Sequence, residues 1–431
     1  MYTHLPFIHT PTSPPSTIHR QSRCLDSHLP LVSRFPLFLS SQCSFTHTHT
    51  YDISRRGTVD RANAVHALSL QSANGIRDTA TALVALGRKN GIIDILNPNT
   101  GALQCKIDPL QDDTSSIEGI HLSFQTAGAA PAAPILVSSS ANGTARIHSL
   151  HITGTGNDTI DNETTTTSST VSTTVRATWK VPATVCCTAL EESASLLAVG
   201  SQGAELRLYD LSRPEGSDSS TAVAVPAFTA KGPKPNRIGL VDKPWTSAVS
   251  FFPDTHGTKI WTGTGHHKLR LYDSTSSKRP VIEVEWGQSR ITALAPEGDG
   301  GRIWVGNGEG RVEAFDVRAG RWSGGVLKGM AGSVRSLALH PDHAHNRRLA
   351  SAGLDRFLRV HDTKSRVGVG KVYLKTELTG VAWCPWNSTA STPSGGEEEE
   401  KGRAVKRRDG VQEGEDEKKK KKNNNKKTKV V

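Results

Sequence analysis

Short apolar segments alternate with glycine-containing turns along most of this chain, and one such phrase recurs. The apolar positions within each phrase alternate with polar ones, which is the period-two pattern of a half-buried β-strand. Each phrase therefore predicts two antiparallel strands joined by a hairpin turn. The four clear copies are "AVGSQGAELRLYD" ending at Asp210, "WTGTGHHKLRLYD" ending at Asp273, "WVGNGEGRVEAFD" ending at Asp316 and "ASAGLDRFLRVHD" ending at Asp362.

Two weaker copies precede these four, ending at Asn97 and Ser149, and another short apolar strand stands before the later phrases. Without two inserts the repeat length is about 40–45 residues, which is the period of WD repeats. Three or four strands per repeat describe one blade of a β-propeller. The additional strands are "SAVSFF" (247–252), "ITALA" (291–295), "VRSLAL" (334–339) and "TGVAW" (379–383).

The predicted fold is therefore all-β, a WD40-type propeller of seven blades. Six blades are legible, and "KVYLKTELTGVAW" implies the seventh, because a ring usually closes by pairing strands from both chain ends. Residues 1–60 contain no hairpin phrase, so the first blade is degenerate or incomplete in this sequence, and we favour a missing first exon.

The composition divides the chain into three parts. Residues 1–55 are predicted to be a disordered leader or the product of a misassigned gene start, with a mitochondrial transit peptide as the less favoured alternative. Residues 56–386 form the propeller, and residues 387–431 form a disordered charged tail. Within the propeller, residues 153–174 and 212–235 are low-complexity inserts that lack apolar side chains, so we expect mobile surface loops.

The formal net charge of +11 favours partners that carry negative charge, nucleic acid among them. The tail contains two basic clusters separated by nine residues, which is the layout of a two-cluster nuclear import signal. The same lysines suit a solvated arm that binds RNA. The clusters consist of Lys406, Arg407, Arg408, Lys418, Lys419, Lys420, Lys421 and Lys422.

Candidate chemistry is sparse. The six cysteines include no C-x-x-C pair, "HPDHAHN" (340–346) reads as a loop, and "GTGHH" and "GNGEG" lie between predicted strands rather than before a helix. We find no nucleophile elbow, HExxH motif or acid pair. The sequence therefore predicts no enzyme activity, metal, cofactor or small-molecule substrate. No apolar run approaches the roughly 18 residues of a membrane helix, so no membrane partner is expected.

One segment departs from the generic repeat. "NRIGLVDKPWTSAVSFFP" (236–253) places Arg237, Lys243 and Trp245 around a proline before a strand. Charged residues beside an aromatic ring at a blade rim suit docking to rRNA or protein. In the alternative, Trp245 packs between blades and the charges only face solvent. Further candidate contacts are Arg335, Arg356 and Lys375.

Several stretches resemble a known family. "GTGHHKLRLYD" followed by "KRPV", "AGSVRSLALHP", "GLDRFLRVHD", "KVYLKTELT" and "VDKPWTSAVSFFP" resemble the nucleolar WD-repeat factor of large-ribosomal-subunit assembly. This is the family of fungal Nsa-one and its animal WD-repeat counterpart. The resemblance covers roughly residues 55–385 and is strongest from 236 onward.

The resemblance implies a propeller that docks on the pre-60S particle in the nucleolus. It also implies contacts with rRNA and other assembly factors, rRNA processing as the process served, and release by an AAA-type ATPase. The alternative is a generic WD-repeat adaptor in another nuclear complex, such as chromatin or a ubiquitin ligase. A propeller enzyme is the third hypothesis and needs titratable groups that converge in the channel.

Overall fold

Antiparallel hairpins account for nearly all of the ordered backbone in this computed structural model, and the described residues contain no helix. The structure describes residues 37–41, 44–47, 53–56, 64–71, 82–98, 102–109, 114–124, 134–153, 170–212, 225–233, 239, 242–253, 255–374 and 376–383.

Twenty-eight strands follow one another along these residues. Their bounds are β1 Leu37–Ser41, β2 Ser44–His47, β3 Ile53–Arg56, β4 Val65–Gln71, β5 Leu83–Arg88, β6 Ile93–Leu96, β7 Leu103–Ile107, β8 Ile117–Phe124, β9 Pro134–Ser140, β10 Thr144–Thr153, β11 Thr170–Lys180, β12 Val185–Leu190, β13 Leu196–Ser201, β14 Arg207–Asp210, β15 Phe228–Thr229, β16 Thr246–Phe251, β17 Lys259–Thr264, β18 Lys268–Asp273, β19 Ser277–Glu285, β20 Ile291–Pro296, β21 Arg302–Asn307, β22 Val312–Asp316, β23 Arg321–Trp322, β24 Val334–Leu339, β25 Arg348–Gly353, β26 Phe357–Asp362, β27 Gly368–Tyr373 and β28 Leu378–Trp383.

The described strands form four-stranded antiparallel sheets, seven in number. Six of them are meanders that run in chain order from an innermost to an outermost strand: β4–β7, β8–β11, β12–β15, β16–β19, β20–β23 and β24–β27. The remaining sheet has the order β28, β1, β2, β3. Repeated four-stranded meanders around a central channel are the architecture of a β-propeller, so the predicted all-β propeller is confirmed.

Hydroxyl groups join the innermost strand of one sheet to that of the next. Thr292 Oγ1 donates to the Val334 carbonyl oxygen at 2.6 Å, which joins β20 to β24. Thr379 Oγ1 donates to the Val65 carbonyl oxygen at 2.9 Å, which joins the last innermost strand, β28, to the first, β4. These bonds satisfy carbonyl groups that face the channel, where the sheet ladder supplies no partner.

The predicted hairpin phrases are confirmed as β13–β14, β17–β18, β21–β22 and β25–β26. "GTGHH" and "GNGEG" form the turns of two of these hairpins, as expected. In the last turn Asp355 Oδ1 accepts the Phe357 N–H at 3.2 Å, which is the bonding expected of an aspartate in a tight turn.

The glycines of the phrase have two separate roles. Gly310 has φ of +89° in its hairpin turn, a conformation that glycine adopts without steric cost. Gly263 lies inside β17, where an added Cβ would be 2.4 Å from Cγ2 of Ile291 in the neighbouring sheet. Its lack of a side chain therefore allows two sheets to approach closely, a role that the sequence analysis did not assign.

Apolar side chains between adjacent sheets form the core. Trp261 on β17 and Phe315 on β22 are fully buried in one cluster with Ile291 and Val305. Trp304 on β21 is also fully buried, and its indole Nε1 donates to Glu297 Oε1 at 2.9 Å. The alternation read from the sequence thus places large side chains at the sheet interfaces.

Both predicted inserts are partly structured. β10 and β11 extend into residues 153–174 and pair through Thr153 and Thr170. The insert at 212–235 contains β15, whose Phe228 is 8 % exposed and packs with Leu208 and Tyr272. The expectation of loops without buried apolar groups is therefore wrong at these positions, because isolated apolar residues in a polar stretch suffice to pair a short edge strand. Residues 154–169 and 213–224 lie outside the described residues.

Strand β28 pairs with β1 in antiparallel register, and β1 in turn pairs with β2. The expectation that "TGVAW" completes a sheet with strands from near the N terminus agrees with this pairing. β1 and β2 lie within residues 1–55, the stretch predicted as a disordered leader, and the structure differs from that prediction there. The domain boundaries at 55 and 386 stay predictions.

Candidate functional site

The innermost strands share a β-bulge at their second residue. In each case the pairing register with the neighbouring strand skips that residue, for example Thr292 between the paired residues Ile291 and Ala293. A bulge leaves one residue unpaired and redirects its side chain, and bulges are frequent beside functional sites. The seven bulged residues are His66, Glu118, Cys186, Ser247, Thr292, Arg335 and Thr379.

All seven bulged side chains line one cavity of about 700 Å³ at the end of the central channel where the innermost strands begin. We call this cavity the channel mouth. Trp245 and Arg290, which immediately precede β16 and β20, line it as well. The fold thus brings together side chains from strands that are separated by more than three hundred residues in sequence.

The bulged residues divide into two groups. Ser247, Thr292 and Thr379 donate hydrogen bonds to carbonyl groups of the following sheet, so their hydroxyls are used to join sheets. His66, Glu118, Cys186 and Arg335 carry ionisable groups into the cavity. This second group gives the channel mouth its chemical character.

Glu118 and His66 form the acidic side of the channel mouth. Glu118 Oε2 is 3.4 Å from His66 Nε2 on the adjacent innermost strand, and Glu118 Oε1 accepts the Ser116 hydroxyl at 2.6 Å. Burial lowers the pKa of His66, although the neighbouring carboxylate opposes this shift. His66 is therefore mainly neutral near pH 7, and Glu118 contributes one net negative charge.

Arg335 and Arg290 form the basic side. Burial lowers the pKa of Arg335, and the positive charge of Arg290 lowers it further. Arginine nevertheless stays protonated in proteins, so both guanidinium groups are charged. Among the described residues neither forms an ion pair, so both have donors free to bind a ligand. The channel mouth is thus of mixed charge and suits a polar segment of a partner molecule.

Two thiols, Cys186 and Cys187, lie at the channel mouth. Burial raises the pKa of both Cys186 and Cys187, so both are protonated at neutral pH, and the thiol rather than the thiolate is present. Cys187 Sγ contacts the Thr246 carbonyl oxygen of the adjacent sheet at 3.6 Å. This agrees with the sequence interpretation that these cysteines serve packing.

Two of the predicted contact residues lie close together. Trp245 packs on Gly265, where an added Cβ would meet the indole at 2.1 Å, and its ring meets His266 edge-on with centroids 6.0 Å apart. Lys243 is exposed, and its carbonyl oxygen accepts a hydrogen bond from His266 Nε2 at 3.1 Å. Trp245 therefore packs on the β17–β18 hairpin of its own sheet and also lines the channel mouth, and its docking role stays a prediction.

The other predicted residues are dispersed. Arg335 lies in the channel mouth, whereas Arg356 is exposed in the hairpin turn between β25 and β26 with φ of +64°. The structure therefore does not unite all the candidates in one site, and their binding roles stay predictions. Outside the described residues lie Arg237, Lys375 and the import-signal residues Lys406, Arg407, Arg408, Lys418, Lys419, Lys420, Lys421 and Lys422.

Sequence reasoning missed His66, Glu118 and Arg290. His66 and Glu118 are each the second residue of an innermost strand. The sequence signal that could have identified them is a polar residue directly after the first buried residue of such a strand. Within the described residues no group of histidine, cysteine, aspartate or glutamate could hold a metal ion. Searching the same residues identified no helix long and apolar enough to cross a membrane.

The repeated hairpins, the four-stranded meanders and the channel define a WD-repeat β-propeller. No protein-family model matches the chain. The chain is similar to WD repeat-containing protein 74 of Bos taurus, with 36 % identity over 187 residues that cover 42 % of this chain and 44 % of the relative. The human protein of the same name is 35 % identical over 185 residues, which cover 42 % of this chain and 44 % of that protein.

Fungal relatives are more distant. Ribosome biogenesis protein NSA1 of Yarrowia lipolytica is 24 % identical over 170 residues, which cover 35 % of this chain and 41 % of that protein. The chain spans less than half the length of the curated relatives it matches. These similarities support the resemblance to the WD-repeat family of WD repeat-containing protein 74 and NSA1 that was noted in the sequence.

Proposed function

We propose that this protein is a non-enzymatic assembly factor for the large ribosomal subunit, and that it docks on pre-60S particles during rRNA processing. The observation that carries the proposal is the relationship to proteins named for ribosome biogenesis. The channel mouth supports a binding role, because charged and polar side chains of the innermost strands converge on one cavity of about 700 Å³.

The proposed scaffold is a ring of seven blades. Its closing blade combines β28 with strands from near the N terminus, and the hydrogen bond from Thr379 to Val65 supports this closure. Closing the ring with strands from both parts of the chain packs every sheet between two neighbours, which holds the rim rigid. Such a scaffold presents several loops to different neighbours without changing shape.

We propose two contact regions on this scaffold. Lys243, Trp245 and Arg335 contact a polar segment of a neighbouring assembly factor at the channel mouth. Arg237, Arg356 and Lys375 contribute positive charge toward rRNA. Partner release by an AAA-type ATPase is proposed from the family resemblance.

Affinity purification of the tagged full chain tests the assembly role. The expected result is co-purification of large-subunit precursor rRNA together with other assembly proteins. Charge reversal by Arg335→Glu should reduce recovery of the assembly proteins, whereas Val281→Ala, at an exposed position on β19, should not. Recovery of chromatin or ubiquitin-ligase proteins without precursor rRNA would favour the generic adaptor and overturn the assembly role.

We further propose that the protein resides in the nucleus and nucleolus, and that its tail carries the import signal. Replacing both basic clusters, Lys406–Arg408 and Lys418–Lys422, by alanine in a full-length fluorescent fusion should abolish nuclear accumulation, because import receptors bind clustered positive charge. Replacing only Lys401 and Arg403 is the matched control and should leave accumulation intact. Unchanged accumulation of the cluster variant would remove the import assignment.

A further inference from the structure

Positive charge is concentrated on the sheet β24–β27. Residues 323–374 contain nine lysines and arginines, three aspartates and no glutamate, which give a net charge of +6. The net charge of the whole chain is +11. The nine are Lys328, Arg335, Arg347, Arg348, Arg356, Arg359, Lys364, Arg366 and Lys371.

The three aspartates of this stretch are engaged locally. Asp355 pairs with Arg359 at 2.5 Å, and Asp342 pairs with His345 at 2.7 Å. Asp362 accepts the backbone N–H groups of residues 364 and 365 at 2.9 and 2.6 Å. These local contacts leave the stretch with the net positive charge that its composition gives, so its surface attracts polyanions.

Two aromatic rings lie on one face of this sheet, at its outer edge. Tyr373 on β27 is directly opposite Phe357 on β26, with ring centroids 5.0 Å apart, and Tyr373 is 48 % exposed. Lys371 is on the same face, and its Nζ lies 4.1 Å from the centroid of Phe357. Arg356 is exposed in the adjacent turn and accepts the Leu374 N–H at its carbonyl oxygen. An exposed ring and two exposed cations thus lie at one end of the β26–β27 pair.

Tyr373 is the one aromatic residue among the large hydrophobic side chains that are exposed in the described part of the chain. On β19, whose nine residues also form a sheet edge, the exposed Lys278 and Arg279 are accompanied by the exposed acids Glu283 and Glu285, which repel polyanions. β27 carries neither proline nor acid, and β23 of the preceding sheet is only two residues long. The Tyr373 face of β27 therefore combines an exposed ring with positive charge and no acid, whereas β19 has two acids and no aromatic residue.

We propose that Tyr373, Phe357, Lys371 and Arg356 bind single-stranded RNA. An unpaired base stacks on the exposed ring of Tyr373, and the lysine and arginine bind the phosphates on either side. Aromatic rings interleaved with cations are the general means by which proteins hold single strands without strict sequence preference. In a duplex the bases are stacked on one another inside the helix, so none of them can stack on the Tyr373 ring. The inference rests on the proposed function, and it specifies unpaired rRNA as one partner.

The test is fluorescence anisotropy of the full chain with an oligouridine of about 12 nucleotides, a length within the range that such surfaces occupy. Tyr373→Ala should weaken binding of the single strand about tenfold, the usual effect of losing one stacked base, and should leave binding of a duplex of equal length unchanged. Tyr373→Phe retains the ring and should bind as the original chain does. Lys371→Glu should weaken binding and reduce its salt dependence.

Ultraviolet crosslinking of the same complexes followed by peptide mass spectrometry locates the contact, because the lysine-rich tail is a second source of RNA affinity. A uridine crosslink on Tyr373 or Phe357 is the expected result. Crosslinks confined to residues 387–431, or equal affinity of Tyr373→Ala and the original chain, would overturn the proposal. Equal displacement of the RNA by polyglutamate would also overturn it, since the surface would then recognise acidic protein. Val281→Ala serves as the control for an exposed outer strand.

These outcomes are separable from the test of the assembly role. A Tyr373→Ala chain that still co-purifies with large-subunit precursors but has lost single-strand binding supports the surface and the assembly role together. A chain that binds the oligonucleotide through Tyr373 yet recovers no precursor rRNA supports the surface and contradicts the assembly role.

Discussion

Replacing Phe315 by alanine is expected to lower the free energy of unfolding by about 3–5 kcal/mol, the usual range for a buried phenylalanine. Phe315 is 0 % exposed and touches aromatic rings on both sides. Its ring centroid is 6.2 Å from that of Trp261 on β17 and 5.1 Å from that of Trp322 on β23. The substitution removes a ring from the interface between two sheets, and rigid indoles cannot collapse fully into the space.

Urea unfolding followed by tryptophan fluorescence measures this effect, because Trp261 and Trp322 report on the same interface. The midpoint should fall while the dependence on urea concentration stays unchanged, as for a change in stability alone. Val281→Ala at a 58 % exposed position on β19 should change the free energy by less than about 0.5 kcal/mol. Equal effects of the two substitutions would contradict the role assigned to the Phe315 interface.

The part of the fold that the sequence predicted well is the part that repeats. A hairpin with one buried face needs apolar residues at every second position and a special conformation in its turn, and both leave a local signature. "WTGTGHHKLRLYD" shows this signature, since Trp261, Leu269 and Leu271 are buried and His267 adopts φ of +51° in the turn. Because these requirements act within a dozen residues, they can be read without knowledge of the rest of the chain.

The parts that sequence reasoning missed depend on distant partners. β1 shows no regular alternation, and its pairing with β28 joins residues more than three hundred positions apart. β15 is two residues long and pairs only because β14 offers a free edge. Neither strand has a local pattern that distinguishes it from a loop, since the stabilising contacts come from another segment.

The candidate site was also predicted only where a residue has a local sequence signal. Trp245 and Arg335 stood out as an aromatic and a cation beside predicted strands, and both line the channel mouth. His66 and Glu118 did not stand out, because the bulges that turn them into the channel are a property of pairing register rather than of residue type. A prediction of the complete channel mouth would have required the innermost strands to be aligned on their first buried residue.

Asp355→Ala should destabilise the protein by about 3–5 kcal/mol, because it leaves a buried arginine without its carboxylate. The side chains of Arg359 and Asp355 are 7 % and 10 % exposed, and their atoms approach to 2.5 Å across the β25–β26 hairpin. The same carboxylate accepts the N–H groups of Phe357 and Ala331 at 3.2 and 3.1 Å. Alanine therefore removes an ion pair and two backbone hydrogen bonds in one step.

A double substitution separates these contributions in urea unfolding experiments. Arg359→Met in the Asp355→Ala background removes the uncompensated charge while keeping an unbranched side chain of similar length, so it should recover much of the lost stability. If the double variant is no more stable than Asp355→Ala alone, the loss arises from the turn hydrogen bonds and the buried charge is unimportant. Asp342→Ala is the matched control, since it breaks an exposed pair with His345 and should have little effect.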